Sequence, residues 1–308
     1  MERLILLLSQ EKMAIARVNE LETWIDTFLT DLKNANRSPH TCRAYAADLH
    51  RLADFHTESP QMITVDTLRR FLQTFAHLKP ASRARKQAAL NSFFAWAYRH
   101  DLLPANPMAK LDPVQRESPQ SRALRREEVE KILFAIPTKQ PRDRLLFRLL
   151  FETGLRISEA LALYVEDLDL AVDNEHITVQ GKGGKQRTIL LDDPRLVTQL
   201  RTYLKRTGYQ HGPLFRGQKN SWGGALRYQS AQQRWQIYCE QAGVNCTLHQ
   251  LRHSHATELV NDGVSLATIR KRLGHKNIQT TLRYAEQSDA TSDAELRAWR
   301  RRVHAESR

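Results

Sequence analysis

Leu248-His249-Gln250-Leu251-Arg252-His253-Ser254-His255-Ala256-Thr257 is the stretch that decides how this chain reads. Leu248 and Leu251 recur at helical spacing, and Thr247 just ahead suits an N-cap. His249 and Arg252 stand three apart, so they share one face of the first turn, where free N–H groups and the helix dipole favour an anion. Leu273-Gly274-His275 and then Tyr284 follow, and Thr153-Gly154-Leu155-Arg156-Ile157-Ser158-Glu159 lies far upstream. These arginines, histidines and the tyrosine suffice to hold a phosphodiester and attack it with a phenol. A guanidinium fork matches phosphate oxygens bidentately, and imidazole exchanges a proton near neutral pH. A phenol of pKa about 10 needs cationic neighbours before it attacks at neutral pH.

Each residue also has a plainer role to set beside that one. Arg156 could be a surface cation at a helix C-terminus, but Leu155 and Ile157 imply burial, and a buried guanidinium needs an anion: Glu159 or a phosphate. His253 and His255 fall on other faces of their helix and suit structural positions. Gly181-Lys182-Gly183-Gly184-Lys185 lacks the spacing of a nucleotide-phosphate loop and precedes a strand-like run. As a hairpin turn, its glycines permit the bend and its lysines can reach a groove.

The formal net charge of +13 over 308 residues points to a polyanionic partner, and the length suits two domains. Cys42, Cys239 and Cys246 form no CxxC pair, and their odd number fits a reducing compartment. No HExxH or Cys/His cluster indicates a metal site. The run Leu4-Ile5-Leu6-Leu7-Leu8 is too short to span a bilayer, so a soluble, cytoplasmic protein is expected.

Apolar spacing predicts four N-terminal helices: 19–33, one from Pro39 capped by Ser38, 65–76 capped by Thr64, and one from about Pro80. Arg43 on the second, with Arg83, Arg85 and Lys86 on the fourth, are expected to meet DNA phosphates rather than merely face solvent. Prolines and polar residues make 104–122 a linker. Beyond it, helices are expected at 125–136 and 141–153, then a β-hairpin of 176–180 and 187–191. Helices resume at 194–206, 231–242, 248–261 and 266–273. The expected fold is mainly α with a small β-hairpin, split into an extension (1–17), a helical DNA-binding domain (18–103), the linker, a catalytic domain (123–289) and a tail (290–308). The tail carries Leu296 and Trp299 three apart, one face of a short helix.

The segments at 153–159, 181–185, 248–257 and 273–284 resemble the tyrosine recombinases in order, spacing and flanking residues, especially their simple Xer-like branch. The resemblance implies a two-domain clamp, a SAM-like helical core-binding domain and a catalytic domain, closing around double-stranded DNA. It implies that Tyr284 attacks the scissile phosphate to give a 3′-phosphotyrosine link. Arg156, Arg252, His249 and His275 would stabilise the transition state, and His249 would relay the tyrosine proton. Lys182 would protonate the departing 5′ oxygen, with Lys185 the competing candidate. Neither metal, ATP nor another cofactor is expected, and a Holliday junction would form within a tetramer on two synapsed sites, of one protein or of two. The tail would dock on an adjacent protomer. The segment before residue 18 is too short for an additional arm-type DNA-binding domain. Two alternatives stand beside this: a type IB topoisomerase-like relaxing enzyme, and a DNA-binding accessory protein without catalysis. The motifs do not choose among chromosome-dimer resolution, transposon resolution and mobile-element integration.

Overall fold

Four helices near the N-terminus bury one stripe each, as their apolar spacing predicts. The computed structural model describes residues 20–115, 122–181, 184, 186–217, 224–275, 282, 297 and 299–301. The chain divides into two compact units, Met1–Pro119 and Gln120–Arg308.

In the first unit α1 spans residues 20–34, and Leu21, Ile25, Phe28, Leu29 and Leu32 are all buried. α2 (Pro39–Phe55) starts with Ser38 Oγ accepting the Thr41 N–H, and Pro39 takes the first helical position, where its missing donor costs nothing. α3 (Val65–Gln73) stops three residues before its expected end, passing into turns through Ala76. α4 (Pro80–Arg99) sends Leu90, Phe93, Phe94 and Ala97 into the core. The Phe28 and Phe93 rings meet edge to face at 5.5 Å, a geometry the ring quadrupoles favour. The first part of the expected linker is not irregular. Pro107–Lys110 forms a short 3₁₀ turn with Met108 buried, and the Gln87 side chain binds the Asp112 carbonyl and the Val114 N–H. A buried amide pinning both groups holds that strip to the first unit.

The second unit is built around α6 (Pro141–Thr153), whose Leu145, Leu146, Phe147, Leu149, Leu150 and Phe151 are all buried. No residue of α6 is exposed, and the helix packs against α5 (Arg126–Ala135), α8 (Pro194–Thr207) and α10 (Leu248–Asn261). It ends on Gly154 at φ +64°, the left-handed cap that glycine adopts without strain. One further turn, α7 (Ile157–Leu161), follows and was not anticipated from the sequence. α9 (Tyr228–Ala242) and α11 (Leu266–Leu273) complete the helices of this unit.

The expected hairpin, β2 (His176–Gln180) and β3 (Gln186–Leu190), is present and antiparallel, with Val179 opposite Arg187 and Gln180 opposite Gln186. It carries a third strand, β1 (Leu168–Asp169), making a sheet of order β1-β2-β3. Two residues are too few to show a period in sequence. No helix among the described residues is long and apolar enough to cross a membrane.

Candidate active site

Two helix ends meet around one guanidinium. Arg252, in the second turn of α10, is 3% exposed and donates from Nη1 to the Gly154 carbonyl at 2.7 Å and from Nη2 to the Leu273 carbonyl at 2.9 Å. Those carbonyls close α6 and α11, where the helix dipoles concentrate negative charge and intrahelical partners run out. A buried cation satisfies both ends, and they fix the plane of its fork.

Arg156 lies two residues past Gly154, at the cap of α7. Its backbone N–H donates to Glu159 Oε2 at 2.9 Å and its Nη1 to Glu159 Oε1 at 2.8 Å. Arg156, His249 and Arg252 line one pocket of about 500 Å³, together with Tyr228, Gln232 and Thr247. The Gln250 side chain accepts the Thr247 N–H, fixing the start of the helix that carries His249.

The charges of this cluster tune its titrating groups. Burial pushes the His249 pKa down, and Arg252, His253 and Arg156 push it further. Burial, then Arg252, Arg156 and Arg187, pushes His275 down to about 4. Both imidazoles are therefore neutral near pH 7, able to accept a proton or donate an N–H. Burial drives Glu159 upward, but hydrogen bonds from Arg187 and the Arg156 N–H outweigh it and hold the carboxyl below its usual range.

His255 is structural, as its helix face suggests. It is buried and accepts the Arg272 Nε–H at its Nε2, which places the ring proton on Nδ1. Arg272 also donates to the Leu190 and Glu152 carbonyls and to Asp192. Arg187 was not singled out in the sequence, yet it is the second cation on Glu159, at 2.9 Å. Its signal was available: a charged residue at an inward position of a strand, two before the buried Ile189.

Lys182, Lys185 and Tyr284 lie outside the described residues, as does Leu296 of the tail. In the first unit Arg43 is exposed, and Arg83 is half-buried. Lys86 requires correction. It is 6% exposed, with Nζ 2.6 Å from Asp48 Oδ1 and over the Phe75 ring, so it faces the interior and not a phosphate. Arg85 is half-exposed but binds the same carboxylate through both Nη atoms. A buried Asp48 needs those cations, a demand that a row of basic residues does not reveal in sequence. Among the described residues no group of three or more His, Cys, Asp or Glu side chains could hold a metal ion.

Comparison with known proteins gives a consistent picture. Residues 122–291 match the family described as "Phage integrase family", and residues 25–101 match "Phage integrase, N-terminal SAM-like domain". Tyrosine recombinase XerA of Thermococcus kodakarensis is 32% identical over 85% of this chain and 90% of its own length. Tyrosine recombinase XerC of Chromobacterium violaceum is 30% identical over 84% and 88%. Among solved structures, the XerH site-specific recombinase bound to a palindromic difH substrate, a post-cleavage complex, aligns with TM-score 0.71 at 23% identity, covering 92% of this chain and 85% of that one. A lambda integrase tetramer bound to a Holliday junction aligns with TM-score 0.70 at 20% identity, covering 83% and 77%. These two likenesses establish the fold.

Proposed function

The chain belongs to the phage integrase family, the tyrosine recombinases, and from that membership we propose how its own residues cleave and rejoin DNA at a specific site. The observation that carries the reading is the gathering of Arg156, His249 and Arg252 around one pocket. Two guanidinium groups there offer a scissile phosphate a charged, preorganised cradle.

Tyr284, nine residues after His275, supplies the nucleophile. Its phenolic oxygen attacks phosphorus while neutral His249 takes the proton, and the bond to the 5′ oxygen breaks. Lys182 gives that oxygen a proton, with Lys185 the alternative donor, leaving a 3′-phosphotyrosine link and a free 5′ hydroxyl. Arg156 and Arg252 oppose the charge that builds on the nonbridging oxygens, and His275 adds a neutral N–H. The link conserves the energy of the broken ester, so the 5′ hydroxyl of a second duplex reverses the step without ATP. Exchange of both strand pairs passes through a Holliday junction in a tetramer on two sites.

The test is to trap protein-bound DNA ends on chromosomal and mobile-element DNA and map them. A covalent adduct on the 3′ phosphate at a defined sequence, absent in Tyr284→Phe, supports the reading. An adduct that persists in Tyr284→Phe sinks the nucleophile. Relaxation of plasmids without sequence dependence or strand exchange would make the protein a topoisomerase.

A further inference from the structure

Arg187 reaches both Glu159 and the end of α11 from a strand. β3 alternates outward and inward, and Arg187 points inward beside Ile189, its side chain only 14% exposed. Its fork meets Glu159 squarely, Nη1 to Oε1 at 3.1 Å and Nη2 to Oε2 at 2.9 Å, while Nε donates to the Arg272 carbonyl at 3.1 Å. To get there it crosses Gly274, where a Cβ would stand 3.0 Å from Nη1 and 3.1 Å from Cδ. Each Glu159 oxygen thus takes two hydrogen bonds, one from Arg156 and one from Arg187.

That sharing decides what Arg156 can do. A carboxylate paired with one guanidinium cancels it; paired with two, it leaves one positive charge in excess. The same side chain ties down the α11 end just before His275, and it follows directly on Gln186, which pairs with Gln180. Building on the recombinase reading above, we propose that Arg187 is a positioning residue of strand cleavage: by sharing Glu159 it leaves the Arg156 charge uncancelled and its side chain oriented toward the phosphate, and by holding the end of α11 it sets His275. Lysine cannot replace it fully, because an ammonium supplies the charge but not the planar fork.

The experiment compares Arg187→Gln and Arg187→Lys in the full chain. In single-turnover cleavage on the trapped site, Arg187→Gln should slow covalent-complex formation by roughly 10- to 100-fold, while site affinity stays within about twofold. Arg187→Lys should recover part of that loss. In the DNA-free protein, NMR titration should show the His275 pKa rising in Arg187→Gln, because a cation beside it is gone. An unchanged rate with an unchanged His275 titration overturns the proposal. So does a rate that falls only in step with folding stability and DNA affinity. If Arg187→Gln does not fold, Arg187→Lys carries the test, and wild-type cleavage in it overturns the role of the fork. Absence of any covalent adduct in the wild type would instead sink the recombinase reading, and the His275 titration would still judge the Arg187 contact.

Discussion

Gly154 gives its carbonyl to Arg252 at 2.7 Å and has no room on its other side: a Cβ there would lie 2.6 Å from His255 Cδ2 and 2.6 Å from Leu273 Cδ2. Its φ of +64° is also one that side chains rarely adopt. Gly154→Ala should therefore lose stability by about 2–4 kcal/mol, combining left-handed strain with overpacking. Urea denaturation measures this, and cleavage should fall further than unfolding explains, because the Arg252 acceptor shifts. Wild-type cleavage in a folded Gly154→Ala protein would show that this carbonyl does not set the arginine.

Arg252→Lys should fail as a replacement. One ammonium cannot span the Gly154 and Leu273 carbonyls and still present a flat pair of donors to phosphate. Single-turnover cleavage should drop about 100- to 1,000-fold, with binding less affected. A loss of only a few-fold would mean that charge alone suffices there.

Acid should loosen the catalytic unit before it protonates ordinary carboxylates. Burial, then the charges of Arg272, Arg126 and Arg252, lowers the His255 pKa to about 3, and His275 lies at about 4. Unfolded histidine titrates at about 6.5, so below that pH the unfolded chain binds more protons than the folded one. The stability is fully present above pH of about 6.5 and is lost as pH falls toward the folded values. Urea midpoints at pH 7, 6 and 5 should fall stepwise, His255 contributing about 1 kcal/mol per pH unit. His255→Gln, whose amide oxygen can still accept from Arg272, should flatten the fall. Equal pH dependence in that variant would remove His255 from the cause.

Binding by the first unit separates its basic residues. Removing Arg43 and Arg83 should lower the slope of log affinity against log salt by about one for each phosphate left without its cation. Lys86→Met should leave the slope alone and reduce stability, since among the described residues Asp48 then keeps only Arg85 as a charged partner. A reduced slope in Lys86→Met would restore it to the DNA surface.

The contrast between Lys86 and Arg252 shows what sequence can and cannot disclose here. Helices appeared wherever an apolar stripe ran for three turns, and strands wherever β-branched residues flanked glycines. Arg156, His249 and Arg252 could be picked out because phosphate chemistry restricts the residue types that serve it, and the fold brings the three to one pocket. β1 and α7 were too short to carry a period, and α3 ends at Gln73, where the Thr74 hydroxyl donates to the Phe71 carbonyl. Lys86 was misjudged, and Arg187 passed over despite its inward strand position, because a buried charge is defined by its counter-charge, and Asp48 and Glu159 lie 38 and 28 residues away in the chain.

The end of the chain offers a test of assembly. Trp299 is about half exposed, with the Arg300 guanidinium 5.0 Å over its ring. Truncation after Asp293 should spare binding of a single site and impair synapsis of two, read by native gels and by strand exchange. Normal recombination by the truncated protein would show that the tail takes no part in assembly.

Arg272 joins the Glu152 carbonyl, 120 residues earlier, to the Leu190 carbonyl and Asp192, some 80 residues earlier, and Arg252 reaches back 98 residues to Gly154. Such closures come last in synthesis, because a ribosome delivers the waiting carbonyls well before the arginines that bind them. A nascent chain already holding α5 to α9 still lacks His249 and Arg252, which come with α10. On the recombinase reading, strand cleavage waits longer still, because Tyr284 leaves the ribosome after the whole of α11.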